Sequence, residues 1–134
     1  MSTLTPPEET GLRAVVAEDE TLIRLDLVEV LTGAGYRVVA EAGDGRAAVE
    51  AVREHRPDIV VMDVKMPVMD GIALALTAAR DFPELKILLM TGFAHQRERA
   101  SGLEAIVHDV VTKPFSIADI RTAVADALAA RKAQ

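Results

Sequence analysis

The chain has 134 residues, half of them hydrophobic, a formal net charge of −6 and no cysteine. A single domain of that length buries most of its apolar surface unaided, and the hydrophobic content excludes a disordered chain. The absence of cysteine excludes disulfides, thiolate zinc sites and thiol catalysis and suits a reducing cytoplasm, the acidic balance opposes direct nucleic-acid binding, and no apolar run nears the roughly 20 residues that span a bilayer.

Residues 1–10 are polar and acidic with two prolines, unlike a signal peptide, and read as a flexible tail. One domain is expected over 11–131, with 132–134 as a second short tail. The first apolar run, Leu12–Ala17, leads into Glu18-Asp19. Ile23, Leu27, Val30, Leu31 and Ala34 then repeat at helical spacing, a core-facing stripe that Gly33 and Gly35 stop. Tyr36–Ala40 reads as a second strand. Asp44-Gly45 offers an N-cap for a helix reaching about His55. Pro57 breaks the chain before Ile59–Met62, a run that ends on Asp63. Asp70-Gly71 opens a helix with Ile72, Ala75, Leu76 and Ala79 on one face, and Pro83 separates it from Ile87–Met90, which ends on Thr91. Phe93–Leu103 is charged and weakly patterned, a helix by position only. Ile106–Val111 is followed by Thr112-Lys113-Pro114, and Ser116 to Asp119 resembles a capping box before a helix with Ile117, Ile120, Val124, Ala127 and Leu128 on one face.

Five strand–helix units result. Strands as continuously apolar as Ile59–Met62 need helices on both faces of the sheet. Alternation with right-handed crossovers gives a (βα)5 doubly wound α/β fold: a parallel five-stranded sheet in a flavodoxin-like three-layer sandwich.

In such a sheet ligands bind beyond the carboxyl ends of the strands. Glu18, Asp19, Asp63, Thr91 and Lys113 all lie at such ends, so three carboxylates, a hydroxyl and an ammonium should converge. Two carboxylates about 4 Å apart repel by roughly 4 kcal/mol at an effective dielectric near 20, so the cluster must protonate, pair or bind a metal. Oxygen-only donors favour Mg²⁺, which keeps several waters for an incoming phosphate. Lys113 supplies a compact charge and Thr91 a hydroxyl for phosphate oxygens. A spare carboxylate can act as a nucleophile and form an aspartyl-phosphate, and Asp63, leaving the most buried-looking strand, is the most central.

Blander readings exist for each residue. Asp19 alone could cap the following helix, Asp63 could be a turn residue, Thr91 a strand end and Lys113 a solvated cation. Their coincidence at four strand ends makes the joint structural explanation the weaker one. His55, His95 and His108 are scattered and read as surface residues. Gly33-Ala34-Gly35 mimics a dinucleotide fingerprint but precedes a strand instead of following one. Leu25 and Val28, flanked by Leu22, lie opposite the core stripe of the first helix and read as an apolar patch beside the acids, suited to docking a kinase or phosphotransfer helix.

The order Glu18-Asp19, Asp63-Val64-Lys65-Met66-Pro67, Asp70-Gly71, Thr91-Gly92 and Lys113-Pro114-Phe115 resembles the receiver domains of two-component response regulators, from about Leu12 to Arg131. The resemblance implies a stand-alone signalling switch that catalyses its own phosphorylation and dephosphorylation, not a metabolic enzyme. Asp63 would accept a phosphoryl group from a sensor histidine kinase or phosphotransfer protein. Asp19, Asp63 and the Lys65 backbone carbonyl would ligate Mg²⁺, with Glu18 acting through water, while Thr91 and Lys113 would contact the phosphoryl oxygens. The Lys113–Pro114 bond is expected to be cis. The altered face, around the fifth strand and the last two helices, would regulate a downstream protein. Two positions depart from the commonest pattern: Glu18 stands where Asp is more usual, and Val110 where a Tyr or Phe often couples to the Thr91 position. Output would then fall to the loop after Thr91 and to Phe93–Leu103. The alternative is a Mg²⁺-dependent phosphohydrolase with an Asp nucleophile; those enzymes generally carry a second acid two residues on, where this chain has Lys65. A flavin-binding domain is a third reading, opposed by the four aromatic residues and absent tryptophan.

Overall fold

A computed structural model of the chain describes residues 11–63, 77–91, 109–112 and 116–132. Its elements are β1 (Arg13–Ala17), α1 (Thr21–Gly33), β2 (Arg37–Ala42), α2 (Gly45–His55), β3 (Ile59–Asp63), a helical stretch at 77–81, β4 (Lys86–Thr91), β5 (Asp109–Thr112) and α3 (Ile117–Lys132). The five strands form one sheet in the order β2-β1-β3-β4-β5, and every neighbouring pair is parallel. This is the predicted doubly wound α/β sheet. From β1 the chain first turns outward to β2 and then crosses to β3 on the other side. The switch of direction therefore opens a crevice at the carboxyl ends of β1 and β3.

The period-2 alternation of each strand divides the core in two. Val15, Ala17, Val60, Met62, Ile87 and Leu89 face α2, where Ala48, Ala51 and Val52 meet them with Ala78 and Leu85. Ala14, Val16, Ile59, Val61, Leu88 and Met90 face the other way, against Leu27 and Leu31 of α1 and Ile120, Val124 and Ala127 of α3. All five residues of β3 are buried, as its unbroken apolar run requires of a strand covered on both sides.

The predicted punctuation is observed. Asp44 caps α2, its Oδ1 accepting the Ala47 N–H at 2.8 Å. Ser116 and Asp119 form a reciprocal capping box at the start of α3: Asp119 N–H donates to Ser116 Oγ and Ser116 N–H to Asp119 Oδ2, both at 3.0 Å. Past the end of α1, Gly35 takes a φ of +94°, a conformation that a side chain would strain.

Four readings need correction. The second strand runs Arg37–Ala42, not Tyr36–Ala40, because the Tyr36 N–H still closes the end of α1 on the Leu31 carbonyl while pairing with β1 persists to Ala17–Ala42. Ile117 does not join the core face of α3. It is 63% exposed, being the first residue of the helix, and lines an open groove with Val30 and Ile120. Val28 is half-buried against the α1–α3 core, one helical turn from Leu31, whereas Leu22 and Leu25 are 77% and 50% exposed. His55 is also half-buried, and its backbone carbonyl accepts from the Arg13 guanidinium. Residues 1–10, residues 70–76 of the helix expected from Asp70, Phe93–Leu103, His95, His108 and Pro114 lie outside the described residues.

Candidate metal and phosphoacceptor site

The register of the sheet builds the site. Ala17 pairs with Met62 and Met62 with Leu89, so the ends of β1, β3 and β4 are nearly level. The next residue on β1 is Glu18 and on β3 is Asp63, side by side across the switch point. Asp63 continues the Ile59, Val61 alternation, which points it toward the α1–α3 side of the sheet. Thr91 ends β4 one step past Met90, the partner of Asp63, and is in register with Thr112 of β5.

Carboxylate oxygens of Glu18, Asp19 and Asp63 lie within 4.8 Å of one another. Glu18 is fully buried, Asp63 is 5% exposed and Asp19 is exposed. Glu18 is fixed along its length. Its N–H donates to the Ala42 carbonyl at 2.9 Å, extending the β1–β2 ladder by one residue, and its Oε2 accepts the Glu20 N–H at 3.0 Å. Glu20, not Asp19, is the N-cap residue of α1, and its side chain makes no capping bond. Asp19 is therefore not spent on closing the helix, which removes its blandest explanation.

The donor set suits a hard cation. Among the described residues it offers only carboxylate oxygen, with no nitrogen or sulfur ligand, and two of the three groups are withdrawn from water. Octahedral Mg²⁺ with bonds of about 2.0–2.1 Å brings its own ligand oxygens to roughly 3–4 Å of one another. A span of 4.8 Å accommodates two carboxylates bound directly and a third reached through water.

Of the remaining predicted site residues, Thr91 is described by its backbone position at the end of β4. Lys65 and Lys113 lie outside the described residues, and Val110 is placed by its backbone in β5, paired with Leu89. The sequence reading missed Arg24. From the second turn of α1 it donates through Nη1 to the Glu18 carbonyl at 2.8 Å and through Nε to Glu41 Oε1 at 3.3 Å. The available signal was an arginine one turn beyond the cap of α1 and an acid near the end of the neighbouring strand.

A family model described as "Response regulator receiver domain" matches residues 14–125. The chain belongs to that family. Among relatives, it is 46% identical over 116 residues to the transcriptional regulatory protein PdtaR of Mycobacterium tuberculosis, covering 84% of this chain and 54% of that protein. It thus spans about half the length of PdtaR. It is 36% identical over 105 residues to the chemotaxis protein CheY of Thermotoga maritima, covering 78% of this chain and 88% of the relative. Among solved structures, the receiver domain of AraT, a response regulator from Geobacillus stearothermophilus, superposes with a TM-score of 0.78 at 30% identity, covering 87% of this chain and 92% of the other. Among the described residues no helix is long and apolar enough to cross a membrane.

Proposed function

We propose that this receiver is a phosphorylation-controlled switch in which Asp63 accepts a phosphoryl group from a phosphohistidine on a sensor histidine kinase or phosphotransfer protein. The observation that carries the reading is the position of Asp63: nearly buried, at the carboxyl end of the central strand, beside Glu18 and Asp19. An Asp63 carboxylate oxygen attacks phosphorus as the P–N bond to the donor imidazole breaks, leaving the nitrogen with the bonding pair. Hydrolysis by water returns the carboxylate and releases inorganic phosphate.

Asp19 and Asp63, with the Lys65 carbonyl, would hold Mg²⁺ directly, and Glu18 would reach it through water. When bound, the ion supplies charge neutralisation for the transferring group. The chain's own part is positioning. The β1–β3 register sets Asp63 beside Glu18, and the Glu18 bond to the Glu20 N–H fixes that first acid. Thr91, at the end of β4, and Lys113 would take the phosphoryl oxygens. The phosphorylated form then shifts an existing conformational equilibrium and alters the face offered to a partner protein. With valine at position 110, that shift does not run through an aromatic side chain there.

Incubation with acetyl phosphate, with and without Mg²⁺, followed by intact-mass measurement tests the reading. One phosphoryl group should be gained only with Mg²⁺ and lost in Asp63→Asn. A wild-type chain that never acquires an adduct refutes it, and rapid turnover of an external phosphoester would favour a phosphohydrolase instead.

A further inference from the structure

We propose that Arg24 is a positioning residue for the metal site, holding the Glu18-Asp19 turn in its cation-binding shape; the proposal rests on the receiver-site reading above. Glu18 and Asp19 follow the last residue of β1, and the pairing of the Glu18 N–H with the Ala42 carbonyl carries the β1–β2 ladder one residue further. The Glu18 carbonyl, one step beyond that bond, accepts from Arg24 Nη1 at 2.8 Å. Asp19 is the next residue. The direction of its carboxylate depends on the peptide plane that carries this carbonyl.

The guanidinium is itself anchored by a local irregularity in β2. Across β1–β2, Ala14 pairs with Val38 but Val15 with Ala40, leaving Val39 as an extra residue. Val38 consequently packs on the α1 side of the sheet, while Val39 and Ala40 both pack on the α2 side. The bulge inverts the alternation that follows, so that Ala42 is buried on the α2 side and Glu41 turns toward α1. Glu41 Oε1 there accepts from Arg24 Nε. Strict alternation onward from Val38, with Val39 paired in place of Ala40, would turn Glu41 to the opposite face. Gly43 leaves the space the guanidinium occupies: a Cβ at Gly43 would stand 3.2 Å from Arg24 Nη1. Bulge, acid and glycine together hold one arginine fork against one carbonyl of the acid turn.

Charge and positioning predict opposite signs, which makes the proposal decidable. By Coulomb's law alone, removing a cation near a cation site strengthens metal binding. If Arg24 acts by positioning, removing it weakens binding, by about 10-fold as for other residues that orient metal ligands. The experiment is calorimetric titration of the full chain with MgCl₂ alone, comparing wild type, Arg24→Met and Gly43→Ala, with thermal melts in EDTA as a fold control. The expected result is roughly tenfold weaker Mg²⁺ binding by Arg24→Met, a smaller loss in Gly43→Ala, and recovery of acetyl phosphate labelling of both at saturating Mg²⁺. Unchanged or tighter binding by Arg24→Met overturns the proposal. Should Arg24→Met fail to fold, Glu41→Gln, which withdraws the charge that anchors the guanidinium at Nε, decides in its place; unchanged or tighter Mg²⁺ binding there overturns the proposal equally. A wild-type chain that binds no Mg²⁺ fails the receiver-site reading itself, and this proposal with it.

Discussion

Replacing Asp63 by asparagine should make the metal-free protein more stable. Oxygens of Asp63 and Glu18 lie within 4.8 Å, and both residues are withdrawn from water. Two full charges at that separation repel by about 3 kcal/mol at an effective dielectric near 20. Asparagine keeps the shape and removes one charge. Asp63 is also engaged in interaction with its surroundings, and losing a hydrogen bond to a charged group costs about 1.5–3 kcal/mol, so the net gain should be about 1–2 kcal/mol. For a domain of this size that raises the melting temperature by roughly 3–8 °C. The assay is thermal unfolding by circular dichroism in EDTA and again in excess MgCl₂. Mg²⁺ should stabilise the wild type, by about 2.7 kcal/mol at a hundredfold excess over its dissociation constant, and stabilise Asp63→Asn less, so the variant's advantage shrinks as Mg²⁺ is added. An Asp63→Asn chain that melts at or below wild type in EDTA would refute the reasoning that the acids are held in opposition.

Asp58 closes the opposite end of the sheet: its Oδ2 accepts the Arg13 N–H at 2.8 Å and its carbonyl accepts the Lys86 N–H at 3.1 Å. Asp58→Ala leaves the Arg13 N–H without that partner and should cost about 1–3 kcal/mol by urea unfolding, with acetyl phosphate labelling unchanged. Asp44→Ala removes the cap of α2 and should cost about 1 kcal/mol, read in the same way; a loss of less than a few tenths would mean that water replaces the cap. Leu25 and Leu22 stand exposed on α1, the helix that starts at the acid site. Leu25→Asp should slow phosphoryl transfer from a phosphohistidine protein while leaving labelling by a small donor intact, and equal loss of both would contradict a docking role for this helix.

The sequence carried the site because its logic is one-dimensional. Each strand is a single apolar run, parallel strands share a direction, and the residue after each run falls at the same sheet end. Glu18 and Asp63 could therefore be placed together before any contact was known. Asp44 and the Ser116–Asp119 pair were legible for a similar reason, since capping acts over three residues. Arg24 was not legible. Its partners depend on the extra Val39 in β2, and that bulge is fixed by pairing with β1, not by any local pattern. Ile117 was misplaced because helical periodicity assigns a direction around the axis but does not tell how far along the axis the core extends. Val28 borders the buried stripe of α1, where half-burial and exposure look alike in sequence.

The central claim is that the buried carboxylate at the end of β3 is the phosphoacceptor. Its most direct test is to label the wild-type chain with acetyl phosphate and Mg²⁺, trap the acyl-phosphate by borohydride reduction, and locate the modified residue by peptide mass spectrometry. The predicted result is a single reduced site at Asp63, absent without Mg²⁺. Modification at Glu18 or Asp19 instead, or an unmodified Asp63 in a fully labelled chain, would contradict it.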